Sequence, residues 1–202
     1  MFPGKSDGDP PEAGKERRTV TREERRNGRR KGLVIVYTGH GKGKTTAALG
    51  TMIRAWGHGM RVCMIQFLKS ETGKWGEVRA ARKMEGIEWI STGDGWTWRS
   101  KDMDETTARA LRGWEIAREK IASGDYDLII LDEFTYALAY GWLDLQEVIN
   151  WLKANKPDDL HLIITGRDAP TELTTYADLV TNMSKIKHPF DEGIMGQPGI
   201  EF

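Results

Sequence analysis

The chain has a single cysteine, Cys63, which excludes a disulfide within it. That cysteine falls in the apolar run "VCMIQF" and reads as a buried core thiol, not a nucleophile. The four histidines, His40, His58, His161 and His188, lie far apart and show no metal-site spacing. No apolar run approaches the roughly 20 residues needed to cross a bilayer, and the N-terminus lacks an apolar signal segment. Net charge is absent too: Lys+Arg and Asp+Glu each number 30. These absences give no reason to expect a membrane or a nucleic acid as partner, and they indicate a cytoplasmic protein.

What charge there is lies unevenly. Residues 1–31 hold ten Lys/Arg against six Asp/Glu, a net of +4, so the remaining 171 residues carry −4. The opening "MFPGKSDGDPPEAGKE" is poor in large apolar groups, and such composition favours disorder. The following "RRTVTREERRNGRRK" has the content of a short charged helix. Two readings of this arm are open: a solvated tail, or a basic segment that orders over an anionic ligand. Residues 32–202 form the expected folded domain, long enough for one substantial core.

Four short aliphatic runs predict buried parallel strands: Leu33–Tyr37, Arg61–Phe67, Leu128–Leu131 and Leu160–Thr165. Shorter candidates are Ile87–Ile90 and Leu179–Met183. Helical patterns lie between them. Ala48, Leu49, Met52, Ile53 and Trp56 recur on one face of a helix that Gly57 or Gly59 can end. Leu111, Trp114 and Ile121 mark a second helix, stopped near Gly124. Leu145, Val148, Ile149 and Leu152 mark a third, with Asp144 and Glu147 at capping-box spacing. Pro170 suits the first turn of a short fourth. Alternating strands and helices predict an α/β fold of P-loop NTPase type, with a mainly parallel sheet and helices on both faces.

The first chemical motif is "VIVYTGHGKGKTT", residues 34–46. Gly39, Gly41 and Gly43 let the backbone turn tightly and aim N–H groups at phosphate oxygens, at the positive end of the following helix. Lys44 can reach a phosphate, and the Thr45 hydroxyl can ligate Mg²⁺. Yet only three residues separate Gly39 from Gly43, where the usual phosphate loop has four. The loop also has a second lysine, Lys42, and a histidine, His40, that is expected to be exposed. The second motif, "YDLIILDEFTY", ends an apolar strand in Asp132 and Glu133. In a parallel sheet both carboxylates fall at the carboxyl edge beside the loop, where they can hold Mg²⁺ directly or through water. The third, "STGDGWTWRSKD", carries Trp96 and Trp98; core packing and cover for a large flat ligand are both open readings. In the fourth, "IITGRD", Arg167 follows a strand end on the same edge, where a phosphate contact and a structural salt bridge are the alternatives.

Together with "RAWGHG", "QFLK", "WGE", "ADLVT" and "IKHPFDEGIMGQPGIEF", these motifs make residues 32–202 resemble the P-loop type of ATP:corrinoid adenosyltransferases. The resemblance implies transfer of the 5′-deoxyadenosyl group of ATP to the cobalt(I) of a reduced corrinoid, with release of triphosphate. It further implies that the short loop holds triphosphate in reversed orientation, so that the ribose 5′ carbon faces the nucleophile. On this basis Gly39, His40, Gly41, Lys42, Gly43, Lys44, Thr45 and Thr46 form the triphosphate cradle. Lys44, Thr45 and Glu133 serve the chemistry. Thr45 and Glu133, supported by Asp132, hold Mg²⁺ or Mn²⁺, and Arg54 and Arg167 contact the nucleotide. Trp96 and Trp98 match aromatics that occupy the lower corrin face and leave a four-coordinate cobalt(II) that is easier to reduce. A homodimer, a reduced flavoprotein electron donor and an N-terminal segment that folds over the site are also implied.

This sequence departs from the family pattern in three places. His40 stands where asparagine is usual, Trp96 where phenylalanine is usual, and "WRSKD" replaces a more acidic continuation. Two other functions compete. An ATPase or kinase would cleave the γ-phosphate and release ADP, but no residue stands out to position a water or an acceptor. A nucleotide-binding module with a nucleic-acid-binding tail would show salt-dependent affinity lost with residues 1–31. Neither accounts for the tryptophan loop.

Overall fold

The computed structural model describes residues 31–70, 75–93 and 103–201. The N-terminal arm and the Trp96–Trp98 loop therefore lie outside the described residues. The described residues belong to one compact unit, Lys31–Phe202.

Six strands form one sheet: β1 (Val34–Thr38), β2 (Val62–Ser70), β3 (Ile87–Gly93), β4 (Leu128–Asp132), β5 (His161–Thr165) and β6 (Leu179–Asn182). Their order across the sheet is β3-β2-β4-β5-β1-β6, and every pairing is parallel. All six match expected strands to within a residue or a few at each end. Parallel strands need crossovers, and helices supply them: α1 (Lys44–Gly57), α2 (Gly76–Ala81), α3 (Met103–Ser123), α4 (Thr135–Ala139), α5 (Leu145–Asn155) and α6 (Thr171–Tyr176).

Strand alternation divides the core into two layers. Val62, Met64, Leu128, Ile130 and Ile163 face α1 and pack on Ala48, Met52 and Ala55. Cys63, Ile65, Phe67, Ile129, Leu131, Leu162 and Ile164 face the other way, in a cluster with Trp114, Ile121, Val148, Ile149 and Leu152. Among the described residues Phe134 is the largest fully buried side chain, and it meets Phe67 edge-on, with ring centroids 4.9 Å apart. Cys63 is buried as expected, and burial pushes its thiol up to about 12, which keeps it inert.

The helical stripes are narrower than the sequence pattern suggested. Ile53, Trp56 and Leu111 are exposed, because the sheet accepts only the central residues of each face. Trp56 instead uses its indole N–H, donating to the Glu85 carbonyl at 2.8 Å. The Asp144 cap forms as read: its carboxylate accepts from the Glu147 N–H at 2.8 Å. Pro170 sits one position earlier than expected, as the cap of α6 and not in its first turn. The short helices α2 and α4, and a 3-10 turn at Pro189–Glu192, had no expectation attached. Lys31, which the sequence placed at the end of the arm, bonds to Asp178, and that carboxylate also accepts from the Val34 N–H at 2.9 Å. Asp178 thus fixes the entry of the chain into β1.

Candidate functional site

Strand β1 carries the glycine loop at its carboxyl end, and β4 carries Asp132 at the same edge; β5 lies between them. Adjacent strands are about 4.8 Å apart, so loop and carboxylate are separated by about 10 Å of sheet. Alternation decides which side chains fill that gap. Gln66, Asp132 and Thr165 share the parity of Met64, Ile130 and Ile163, so all three point to the face covered by α1. Gln66 and Asp132 are direct register partners across β2 and β4. All three polar residues are fully buried.

Buried polar groups must be paired, and these pair with one another. Asp132 Oδ1 accepts from the Thr165 hydroxyl at 2.7 Å and from the Thr45 hydroxyl at 2.9 Å. Its Oδ2 accepts from the Gln66 amide at 3.0 Å. Thr165 Oγ1 in turn accepts from the Glu133 N–H at 3.0 Å. The same hydroxyl therefore holds Asp132 and the backbone of Glu133. Glu133 has φ 60, a left-handed conformation that is strained for this residue type and that turns the chain just past the strand. Asp168, after β5, has φ 52 on the same edge.

The loop glycines are required by close approach. Gly39 has φ +98, and a Cβ there would lie 2.1 Å from Asn182 Oδ1. A Cβ on Gly41 would lie 2.7 Å from the Met183 carbonyl oxygen, which already accepts from the Gly41 N–H at 2.7 Å. Gly43, with φ 122, caps α1. The segment after β6 therefore braces the loop from behind. Lys42 is drawn to this segment as well: its Nζ lies 2.6 Å from Glu201 Oε2. Lys44 curls under the loop, donating to the carbonyls of Gly39 at 2.7 Å and Gly41 at 2.8 Å. Burial lowers its pKa below the ordinary lysine value, opposed first by the Glu133 carboxylate. The charges of Arg167, Asp132 and Asp168 also reach it.

Lys44, Thr45, Asp132, Glu133 and Arg167 are thus brought to one edge. His40 is exposed, as expected, and its Nε2 lies 3.2 Å from Asp168 Oδ1. Thr46 is also exposed. Arg54 is not brought to this edge within the chain: it sits exposed in the last turn of α1, about 15 Å along the helix from Lys44. Trp96 and Trp98 lie outside the described residues. Among the described residues no group of three or more His, Cys, Asp or Glu is placed to hold a metal alone. The donor set that is present is oxygen. The Thr45 hydroxyl donates its hydrogen bond to Asp132 and so turns its lone pairs outward, and the Glu133 carboxylate stands nearby. This set fits a hard divalent cation completed by phosphate oxygens and water.

Sequence reasoning missed Gln66, Thr165 and Tyr136. Burial pushes the Tyr136 phenol up to about 12, with the Glu133 carboxylate adding to the shift. Gln66 had a readable signal, as the lone polar residue of "VCMIQF", since a polar group inside a buried strand must have partners.

Known proteins share this arrangement of sequence. Residues 30–202 match the family described as ATP:corrinoid adenosyltransferase BtuR/CobO/CobP. A corrinoid adenosyltransferase from Sinorhizobium sp is 42% identical over 174 residues, spanning 85% of this chain and 81% of that protein. One from Escherichia coli strain K12 is 40% identical, spanning 85% of this chain and 86% of that protein. Among solved structures, flagellar accessory protein FlaH from Methanocaldococcus jannaschii superposes with a TM-score of 0.56 at 12% identity. That match covers 81% of this chain and 77% of FlaH, and it bears on the fold alone.

Proposed function

Because the chain belongs to the ATP:corrinoid adenosyltransferase family, we propose that it joins the 5′-deoxyadenosyl group of ATP to the cobalt(I) of a reduced corrinoid and releases triphosphate. The observation that carries this reading is the short glycine loop. Lys44 and Thr45, which end it, lie with Asp132 and Glu133 on one edge.

The reaction needs no proton transfer. The electron pair of cobalt(I) forms the Co–C bond, the bond between the 5′ carbon and its oxygen breaks, and that electron pair leaves on the triphosphate. The protein's tasks are then positioning and charge stabilisation. Loop amides other than that of Gly41, which is bonded to Met183, orient the triphosphate. Lys44, held close beneath the loop, exchanges carbonyl oxygens for phosphate oxygens and stabilises the charge on the leaving group. Thr45 and Glu133 would hold Mg²⁺ or Mn²⁺, with Asp132 fixing the Thr45 hydroxyl. When bound, the cation supplies Lewis-acid neutralisation of phosphate charge. Arg167 contributes positive potential from the end of β5. Trp96 and Trp98 take the lower corrin face and keep the axial base off cobalt(II) before its reduction by a flavoprotein. The working unit in this reading is a homodimer.

The test is anaerobic incubation with ATP and chemically reduced cobalamin. The expected product is a corrinoid whose spectrum reverts on exposure to light, as a Co–C bond requires. ATP consumption with no photolabile product would overturn the reading. For the tryptophans, Trp98→Ala should lose activity with a flavoprotein donor and regain much of it with prereduced cobalt(I). Unchanged four-coordinate cobalt(II) in that variant would remove the assignment.

A further inference from the structure

We propose that Gln66, locked by Trp89, is a positioning residue for the nucleotide site, acting through Asp132 on Thr45. The inference rests on the nucleotide-site reading above but concerns a residue that takes no direct part in it.

The direction of the Gln66 amide is set by its two partners. The Trp89 indole N–H lies 3.1 Å from Gln66 Oε1, and an indole can only donate. The Gln66 oxygen must therefore face Trp89, which leaves the NH₂ group facing Asp132 Oδ2 at 3.0 Å. A carboxylate only accepts, so the orientation is fixed from both ends. Strand register supports the geometry: β2 pairs Gln66 with Asp132 on one side and with Ser91, two residues beyond Trp89, on the other. The Thr92 hydroxyl also donates to the Gln66 carbonyl, at 3.2 Å, and pins the backbone there.

Asp132 now has three donors: Thr45 and Thr165 on Oδ1, and Gln66 on Oδ2. Little of its acceptor capacity is left for a direct bond to a cation. Its part is to accept the Thr45 hydrogen bond and aim that hydroxyl's lone pairs at the phosphate side. Its own rotation is set by whether Oδ2 is held. Without Gln66, Oδ2 has no partner in a fully buried place, and the carboxylate, held through Oδ1 alone, can pivot on its Thr165 bond at the expense of the longer one to Thr45. Trp89 thus sets Gln66, Gln66 sets Asp132, and Asp132 sets Thr45, across three strands and the first turn of α1.

The experiment compares the ATP dissociation constant with Mg²⁺ and with EDTA, and reads their ratio. Gln66→Leu should shrink that ratio by about 10–100-fold, the usual cost of losing an outer partner of a metal site. Affinity in EDTA should change by less than about twofold, since the loop amides and Lys44 are untouched. Trp89→Phe removes only the indole donor and should shrink the ratio in the same direction by a smaller factor; it carries the test if Gln66→Leu does not fold. In a Thr45→Val background, Gln66→Leu should have less than about a twofold further effect, because the residue it acts through is gone. An unchanged ratio, an equal loss with and without Mg²⁺, or an additive effect on Thr45→Val would each overturn the proposal. A wild-type protein that binds ATP equally well in EDTA would instead overturn the cation reading.

Discussion

Gly41→Ala tests the bracing of the loop with a single methyl group. Gly41 lies outside the left-handed region, so alanine can adopt its backbone and only space opposes the change. The added Cβ would sit 2.7 Å from the Met183 oxygen and 2.8 Å from the carbonyl carbon and oxygen of Ser184. All are backbone atoms, which cannot rotate aside as a side chain can. Either the loop or the segment behind it must move, and the 2.7 Å bond between the Gly41 N–H and Met183 is lost or stretched. Overpacking of this kind costs about 1–3 kcal/mol and the hydrogen bond about 1 kcal/mol more. If the segment yields, a total of about 2–4 kcal/mol appears as lost stability, a fall in Tm of roughly 4–16 °C for a domain of this size. If the loop yields, the same energy appears as lost ATP affinity, about 30–1000-fold. Calorimetry of the free protein and titration with ATP measure the two shares. Gly50→Ala is the control: it lies exposed in α1 with nothing within 4 Å, and should add about 0.5–1 kcal/mol of stability with ATP affinity unchanged. Gly41→Ala with wild-type Tm and wild-type affinity would refute the close approach between loop and C-terminal segment.

Other perturbations have directions set by the site. Lys44→Ala and Glu133→Ala should each lower turnover by about 10²–10³-fold, read with prereduced cobalamin to isolate the transfer step. Near-normal turnover in both would remove the assigned site. Lys44 has its pKa lowered by burial, and it must be charged to act, so kcat/KM should lose activity on an alkaline limb below 10.5. Bound triphosphate favours the ammonium, so the corresponding limb in kcat should lie higher. A kcat/KM limb at or above the ordinary lysine value would contradict the burial. Away from the site, Asp144→Ala removes the cap of α5 and should cost about 1 kcal/mol, seen as a Tm lower by about 2–4 °C.

Much of the fold was legible because it rests on short-range signals. The aliphatic runs around Met64, Ile130 and Ile163 are buried on both faces, and that burial is what makes them continuous in sequence. Asp144 announces α5 through a local bond three residues long. The exposure of Ile53, Trp56 and Leu111 was not legible, since periodicity gives the direction of a face but not the width of the sheet beneath it. At the site, the glycine loop and the Asp132–Glu133 pair could be read from spacing. Their connection could not: Thr165 lies on β5, the strand inserted between β1 and β4, and that order is a tertiary fact. Lys42 shows the same limit, because its Glu201 partner is 159 residues away.

The proposed transfer requires the loop to present the ribose 5′ carbon, not the γ-phosphorus, to the nucleophile. The measurement that meets it most directly is the identity of the phosphate product during one turnover with cobalt(I) corrinoid. Intact inorganic triphosphate should appear in equal amount with the light-sensitive adenosylated corrinoid, and Lys44→Ala should slow both together. ADP and inorganic phosphate, formed without a Co–C bond, would contradict it.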